Sequence, residues 1–167
     1  DAAPPEILQK TIRSINNYIS ITHERAGMFA TIFYCILDPD TGELFYINGG
    51  HEPPMIIGPG AIRSRIAPTG PAVGLYPDLK HTVETARIEP GDTLLVVTDG
   101  VTDAQSRTDQ TFTKSRLEEM LKEPFSSAEE LINRIRHRIN THIAGAEQFD
   151  DITVVALQRK HQKDLID

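Results

Sequence analysis

A chain of 167 residues, 39% hydrophobic and 25% charged, has the composition of one globular domain and is long enough to bury a core. Its net charge is −7, from 17 Lys and Arg against 24 Asp and Glu, and it has no dense basic cluster interleaved with aromatics, which argues against a nucleic-acid surface. No stretch approaches the roughly 18–20 apolar residues of a membrane span and no basic-then-apolar leader opens the chain, which points to a cytoplasmic protein.

The opening DAAPPEIL lacks an initiator methionine, so the chain is expected to be the later part of a longer one. Pro4 and Pro5, followed by Ile7, Leu8, Ile12, Ile15 and Ile19, place apolar side chains at a helical period and predict a helix over 5–22. A loop at 24–27 leads into MFATIFYCIL, residues 28–37, whose aromatic and β-branched content predicts a strand. The turn DPDTG returns the chain through a second strand, 43–48, to make a hairpin. Cys35 is the only cysteine and sits in the apolar run, where a core thiol in a reducing compartment is preferred to a thiol nucleophile.

Gly49, Gly50, His51, Pro53 and Pro54 interrupt the pattern ahead of a short strand at 55–57. For His51 the preferred role is to fix this turn through a hydrogen bond from its imidazole to nearby backbone, rather than to ligate or catalyse. A turn at 58–60, a strand at 62–66 and a Pro- and Gly-rich loop at 67–77 follow. The GPAVG of that loop lacks the lysine and following helix of a nucleotide-binding loop. A strand at 83–88 ends in the turn Pro90, Gly91, Asp92, which opens the apolar strand 94–97. After a polar stretch to Gln110, a short helix is expected over 112–121. Ser127 and Glu130 form a capping box for a helix carrying Leu131, Ile132, Ile135, Ile139 and Ile143, with Gly145 as its stop. Arg134, Arg136 and Arg138 are assigned to its solvated face. Residues 1–159 are expected to form a single domain, with 160–167 a polar, fraying tail.

Two carboxylate sites stand out. Strand 94–97 ends by presenting Asp99 in a Thr98, Asp99, Gly100 turn, so the acid is held by a rigid element yet reaches solvent. Asp150 and Asp151 stand directly before Ile152 to Leu157, read as a second buried strand, and adjacent residues on an extended chain point to opposite sides. Only one of the two is therefore expected to face the same place as Asp99. Converging carboxylates repel unless a cation compensates them, and all-oxygen sites suit Mg²⁺ or Mn²⁺.

Four segments in this order, NGGHEPP (48–54), GPAVGLYPD (70–78), EPGDTLLVVTDGVTDA (89–104) and FDDITVV (149–155), resemble the PPM-type metal-dependent serine/threonine phosphatases, and within them the bacterial SpoIIE/RsbU-like branch. The resemblance covers nearly the whole chain from about residue 8 to 157. It implies an α+β fold, a β-sandwich of mostly antiparallel sheets flanked by helices, here lacking its first strands. It implies hydrolysis of phosphoserine or phosphothreonine on an anti-sigma-factor antagonist, through water activated by two Mn²⁺ or Mg²⁺ ions in the intact domain. An upstream sensor or receiver domain is a possible companion.

By the same resemblance Asp99 and Asp150 match metal ligands, while Asp151 and Asp103 are assigned supporting positions behind them. The Gly-His element at His51 marks the branch without being a ligand, and Glu52 replaces an uncharged polar residue common there. The family's Gly-Asp and Asp-x-x-Gly-His-Gly-like segments are not in the chain, so these 167 residues alone are expected to bind metal weakly, to be inactive or impaired, and to self-associate through exposed sheet edges. The rivals to an enzyme are a degenerate phosphatase-like binding module and a structural ion-binding domain.

Overall fold

The computed structural model describes residues 2–148 and 150–161. The expected tail therefore lies mostly outside the described residues, as does Phe149 of the FDD motif. The described residues form seven strands and four α-helices and divide into two compact units, one of residues up to 53 with 66–88 and one of residues 54–65 with those from 89 on. Each unit carries one antiparallel sheet, so the α+β class with mostly antiparallel pairing holds.

In the first unit α1 (Pro4–Thr22) begins with proline in its first turn, where a missing N–H costs nothing. Leu8 and Ile12 are fully buried, and Ile15 and Ile19 extend the stripe against Ile47 and Val73. Burying an aliphatic side chain of this size contributes about 1.5–3 kcal/mol, so this stripe, not helix propensity, holds α1 down. The sheet has the order β1–β2–β5, with β1 Ile32–Leu37, β2 Glu43–Gly49 and β5 Glu84–Arg87. The DPDTG hairpin pairs Leu37 with Leu44 as its turn chemistry requires. The first strand starts later than the sequence pattern suggests, because Glu24–Ala26 forms a 3₁₀ turn and Met28 and Phe29 stay exposed. Cys35 is half-buried, and desolvation raises its thiol pKa, which disfavours the thiolate a nucleophile would need.

The loop that carries GPAVG is tied to α1. Asn16, fully buried, accepts the Gly74 N–H at 2.9 Å and donates to the Tyr76 carbonyl at 2.9 Å. Gly74 has a φ of +93°, and a Cβ there would lie 2.3 Å from an Ile19 methyl. Its glycine serves close packing, and its amide is already committed to Asn16.

In the second unit the sheet has the order β4–β3–β6–β7, with β3 Met55–Gly58, β4 Ala61–Arg65, β6 Thr93–Val97 and β7 Val154–Gln158. Two helices, α3 (Lys114–Met120) and α4 (Ala128–Ile143), contribute Leu117, Met120, Leu131, Ile135 and Ile139 to a core completed by Met55, Ile57, Leu95 and Val97. The capping box is present in part: Ser127 Oγ accepts the Glu130 N–H at 3.1 Å, while the Glu130 carboxylate turns back to Ser126, taking its N–H at 2.8 Å and its hydroxyl at 2.7 Å. Arg134 does not lie on a free solvated face, since it donates to the Glu123 and Pro124 carbonyls and to Glu130 and so pins the α3–α4 loop.

Two expectations change here. The final strand is an edge strand and not a buried one: Val154 and Ala156 pack against the core, whereas Val155 and Leu157 are 54% and 41% exposed. The helix expected from 112 begins at Lys114, because Thr113 takes a φ of +72° and Phe112 pairs its N–H with the Ala104 carbonyl. The polar stretch after Asp103 is thus a folded-back loop.

Candidate metal-binding site

Strand β6 is rigid because Leu95 is fully buried and it is paired on both sides, with β3 and β7. At its end Thr98 is extended and serves as the N-terminal flank of α2, the short helix Asp99–Thr102. The Asp-Gly dipeptide therefore opens one helical turn instead of making a plain loop turn. Asp99 is exposed, and its Oδ1 accepts the Gly100 N–H at 3.1 Å. Its carbonyl receives the Asp103 N–H at 2.8 Å and the Thr102 hydroxyl at 3.1 Å.

The second pair of acids stands beyond the same end of the β6–β7 ladder, whose last registered pair is Val97 with Val154. Asp150 and Asp151 are both exposed. The Asp150 carboxylate accepts the Asp151 N–H at 2.7 Å, and its carbonyl accepts Gln148 Nε2 at 2.7 Å. Thr98 joins the two segments: its N–H donates to the Thr153 carbonyl at 3.1 Å, and its hydroxyl bonds both the Asp151 carbonyl and the Thr153 N–H at 3.0 Å. Gly100 is buried against the same peptide, and a Cβ on it would sit 2.3 Å from the Asp151 carbonyl oxygen. The backbones carrying Asp99 and Asp150–Asp151 are thus in direct contact.

Asp103 ends α2 and is exposed. None of Asp99, Asp103, Asp150 or Asp151 has an ion pair among the described residues. Four carboxylates on two adjoining segments without a compensating charge form the kind of oxygen-rich surface that hard cations neutralise. The fit is one of chemistry and not of number: no group of three or more His, Cys, Asp or Glu side chains is arranged to hold a metal among the described residues.

His51 belongs to the other unit, and its turn is fixed differently from the expectation. The bond is made by its backbone, whose N–H donates to Asn48 Oδ1 at 2.9 Å; no imidazole hydrogen bond occurs among the described residues. Asn48 is fully buried, gives its Nδ2 to the Ile66 carbonyl at 3.3 Å, donates its backbone N–H to the Thr69 hydroxyl at 3.0 Å and accepts the Thr69 N–H on its carbonyl at 2.8 Å. A polar residue at the end of an apolar strand, just before two glycines, was the signal that could have singled it out.

The family model described as stage II sporulation protein E (SpoIIE) matches residues 2–160. The chain belongs to the SpoIIE family. It is 43% identical over 148 residues to Protein IcfG of Synechocystis, covering 89% of this chain and 23% of that protein. It is 26% identical over 166 residues to phosphoserine phosphatase RsbU of Bacillus subtilis, covering 94% of this chain and 45% of RsbU. The chain thus spans under half the length of either relative. The phosphatase domain of SpoIIE from Bacillus subtilis, solved after a manganese presoak, superposes with a TM-score of 0.65 at 16% identity, covering 97% of this chain and 69% of that one. The SpoIIE/RsbU-like membership and the phosphatase-domain fold expected from the four motifs both hold.

Proposed function

We propose that the intact protein containing this chain is a divalent-metal-dependent phosphatase acting on phosphoserine or phosphothreonine of a cytoplasmic regulatory protein. The observation that carries the reading is the placement of Asp99 and Asp150 on adjoining segments beyond one end of the β6–β7 ladder, in a family-matched stretch, with no ion pair to either among the described residues. A bound Mn²⁺ or Mg²⁺ would supply Lewis-acid activation of water and neutralisation of phosphoryl charge. Asp99 and Asp150 are the residues assigned to hold it. The Asp151 and Asp103 carboxylates add negative charge behind them, and the Thr98 and Gly100 contacts fix the two segments against each other. An anti-sigma-factor antagonist is the proposed substrate, on the strength of the likeness to RsbU.

A second reading has one observation in its favour. Because the described residues do not bring three ligands together, the chain suits a binding module that recognises a phosphoprotein without turning it over. Release of phosphate from an aryl phosphate by the intact protein, with and without Mn²⁺, separates the two. The phosphatase reading predicts metal-dependent release, abolished by Asp99→Asn. Metal-independent capture of a phosphoprotein with no release would favour the binding module.

A further inference from the structure

The ladder between β6 and β7 does not stop where its regular pairs end. One further backbone bond joins Thr98 to the Thr153 carbonyl, and beyond it the Thr98 hydroxyl takes over the work of two backbone groups. It accepts the Thr153 N–H and donates to the Asp151 carbonyl, both at 3.0 Å, so it spends its proton and one lone pair on the segment that leads into β7. Both backbone polar groups of Thr153 are thereby bonded to one residue. Two positions later, Gly100 lies so close to the Asp151 carbonyl that no side chain fits between them. Asp99 stands between these two contacts and Asp150 is the immediate neighbour of Asp151, so the Thr98 hydroxyl and the Gly100 contact together join the segments that carry the two carboxylates.

We propose that Thr98 is a positioning residue whose hydroxyl sets the separation of Asp99 and Asp150 for a shared divalent cation, which rests on the metal-site reading above. The chemistry narrows the choice of residue. Serine keeps the donor and acceptor, valine keeps the shape and β-branching but neither polar function, and alanine keeps neither. A role that only fills space would be served nearly as well by valine, whose methyls occupy the same volume at a half-exposed site, although the two hydroxyl bonds would be lost. A positioning role would not.

The test is Mn²⁺ affinity in the intact protein, read by calorimetry, together with hydrogen exchange at the Thr153 amide. Thr98→Val is expected to weaken Mn²⁺ binding about 10-fold, as loss of a ligand-supporting contact does, and to unprotect Thr153. Thr98→Ser is expected to restore both. If Thr98→Val does not fold, Thr98→Ala removes the same hydroxyl without placing a second methyl there and carries the same expectation. Wild-type affinity in the folded hydroxyl-less variants, or loss of affinity in Thr98→Ser equal to theirs, would overturn the proposal. A wild-type protein that keeps Thr153 protected yet takes up no Mn²⁺ would overturn the metal-site reading itself, and this proposal with it.

Discussion

The two ends of strand β6 carry the same residue type in opposite roles. Asp92, just before the strand, is 1% exposed, accepts the Glu89 N–H at 3.0 Å and pairs with Arg63 at 2.5 Å across Gly58. Asp99, just after it, is exposed and has no ion pair among the described residues. A buried carboxylate must find hydrogen bonds and a counter-charge within the protein, whereas an exposed one is left for solvent or a ligand. The first is therefore part of what holds the unit together, and the second is free to do chemistry.

That contrast is broken most sharply by neutralising each acid in turn. In the intact protein Asp99→Asn or Asp150→Asn should lower metal-dependent phosphatase activity by about 100-fold or more, since each removes an anionic ligand from a hard cation. Thermal unfolding of the same variants should move little, by no more than about 0.5 kcal/mol, as for a surface site. Asp92→Asn should do the reverse. Losing the partner of Arg63 and weakening the turn acceptor should destabilise the protein by about 2 kcal/mol in denaturant titrations, a figure reduced because Arg63 is half exposed. Its Mn²⁺ affinity should remain that of the wild type.

A smaller effect sharpens the comparison at a third acid. The two Ser126 bonds and the Arg134 guanidinium hold the Glu130 carboxyl down to about 2, from the ordinary 4.5. A lowered folded-state value means that the stabilisation is fully present above about pH 4.5 and is lost as pH falls toward 2. Glu130→Gln should therefore flatten the stability profile within that acid window and leave neutral-pH activity unaltered. A profile unchanged by the substitution would show that the capping arrangement contributes nothing in solution.

Much of this architecture was legible in the sequence because its signals are local. The apolar stripe Leu8, Ile12, Ile15, Ile19 gave α1, Ser127 and Glu130 gave the start of α4, and DPDTG gave the β1–β2 hairpin. What escaped was set by neighbours. An apolar run such as Ile152 to Leu157 reads the same on a central strand as on an edge, and only pairing leaves Val155 and Leu157 outside. A helix as short as α2 has no period to detect. The positive φ of Thr113 has no side-chain signature, so the start of α3 was placed too early. At the site, Asp99 and Asp150 were visible as acids at strand ends, but Thr98 passed for a turn residue because its two partners, Asp151 and Thr153, lie more than 50 positions away.

The central claim is that Asp99 and Asp150 serve one divalent cation, and a calorimetric Mn²⁺ titration of the intact protein tests it most directly through a double-mutant cycle. The account predicts that Asp99→Asn and Asp150→Asn each weaken binding by about 10-fold or more, and that the double variant falls clearly short of the product of the two losses, because both acids act on the same ion. Wild-type affinity in Asp150→Asn, or losses that multiply as for two independent sites, would contradict it.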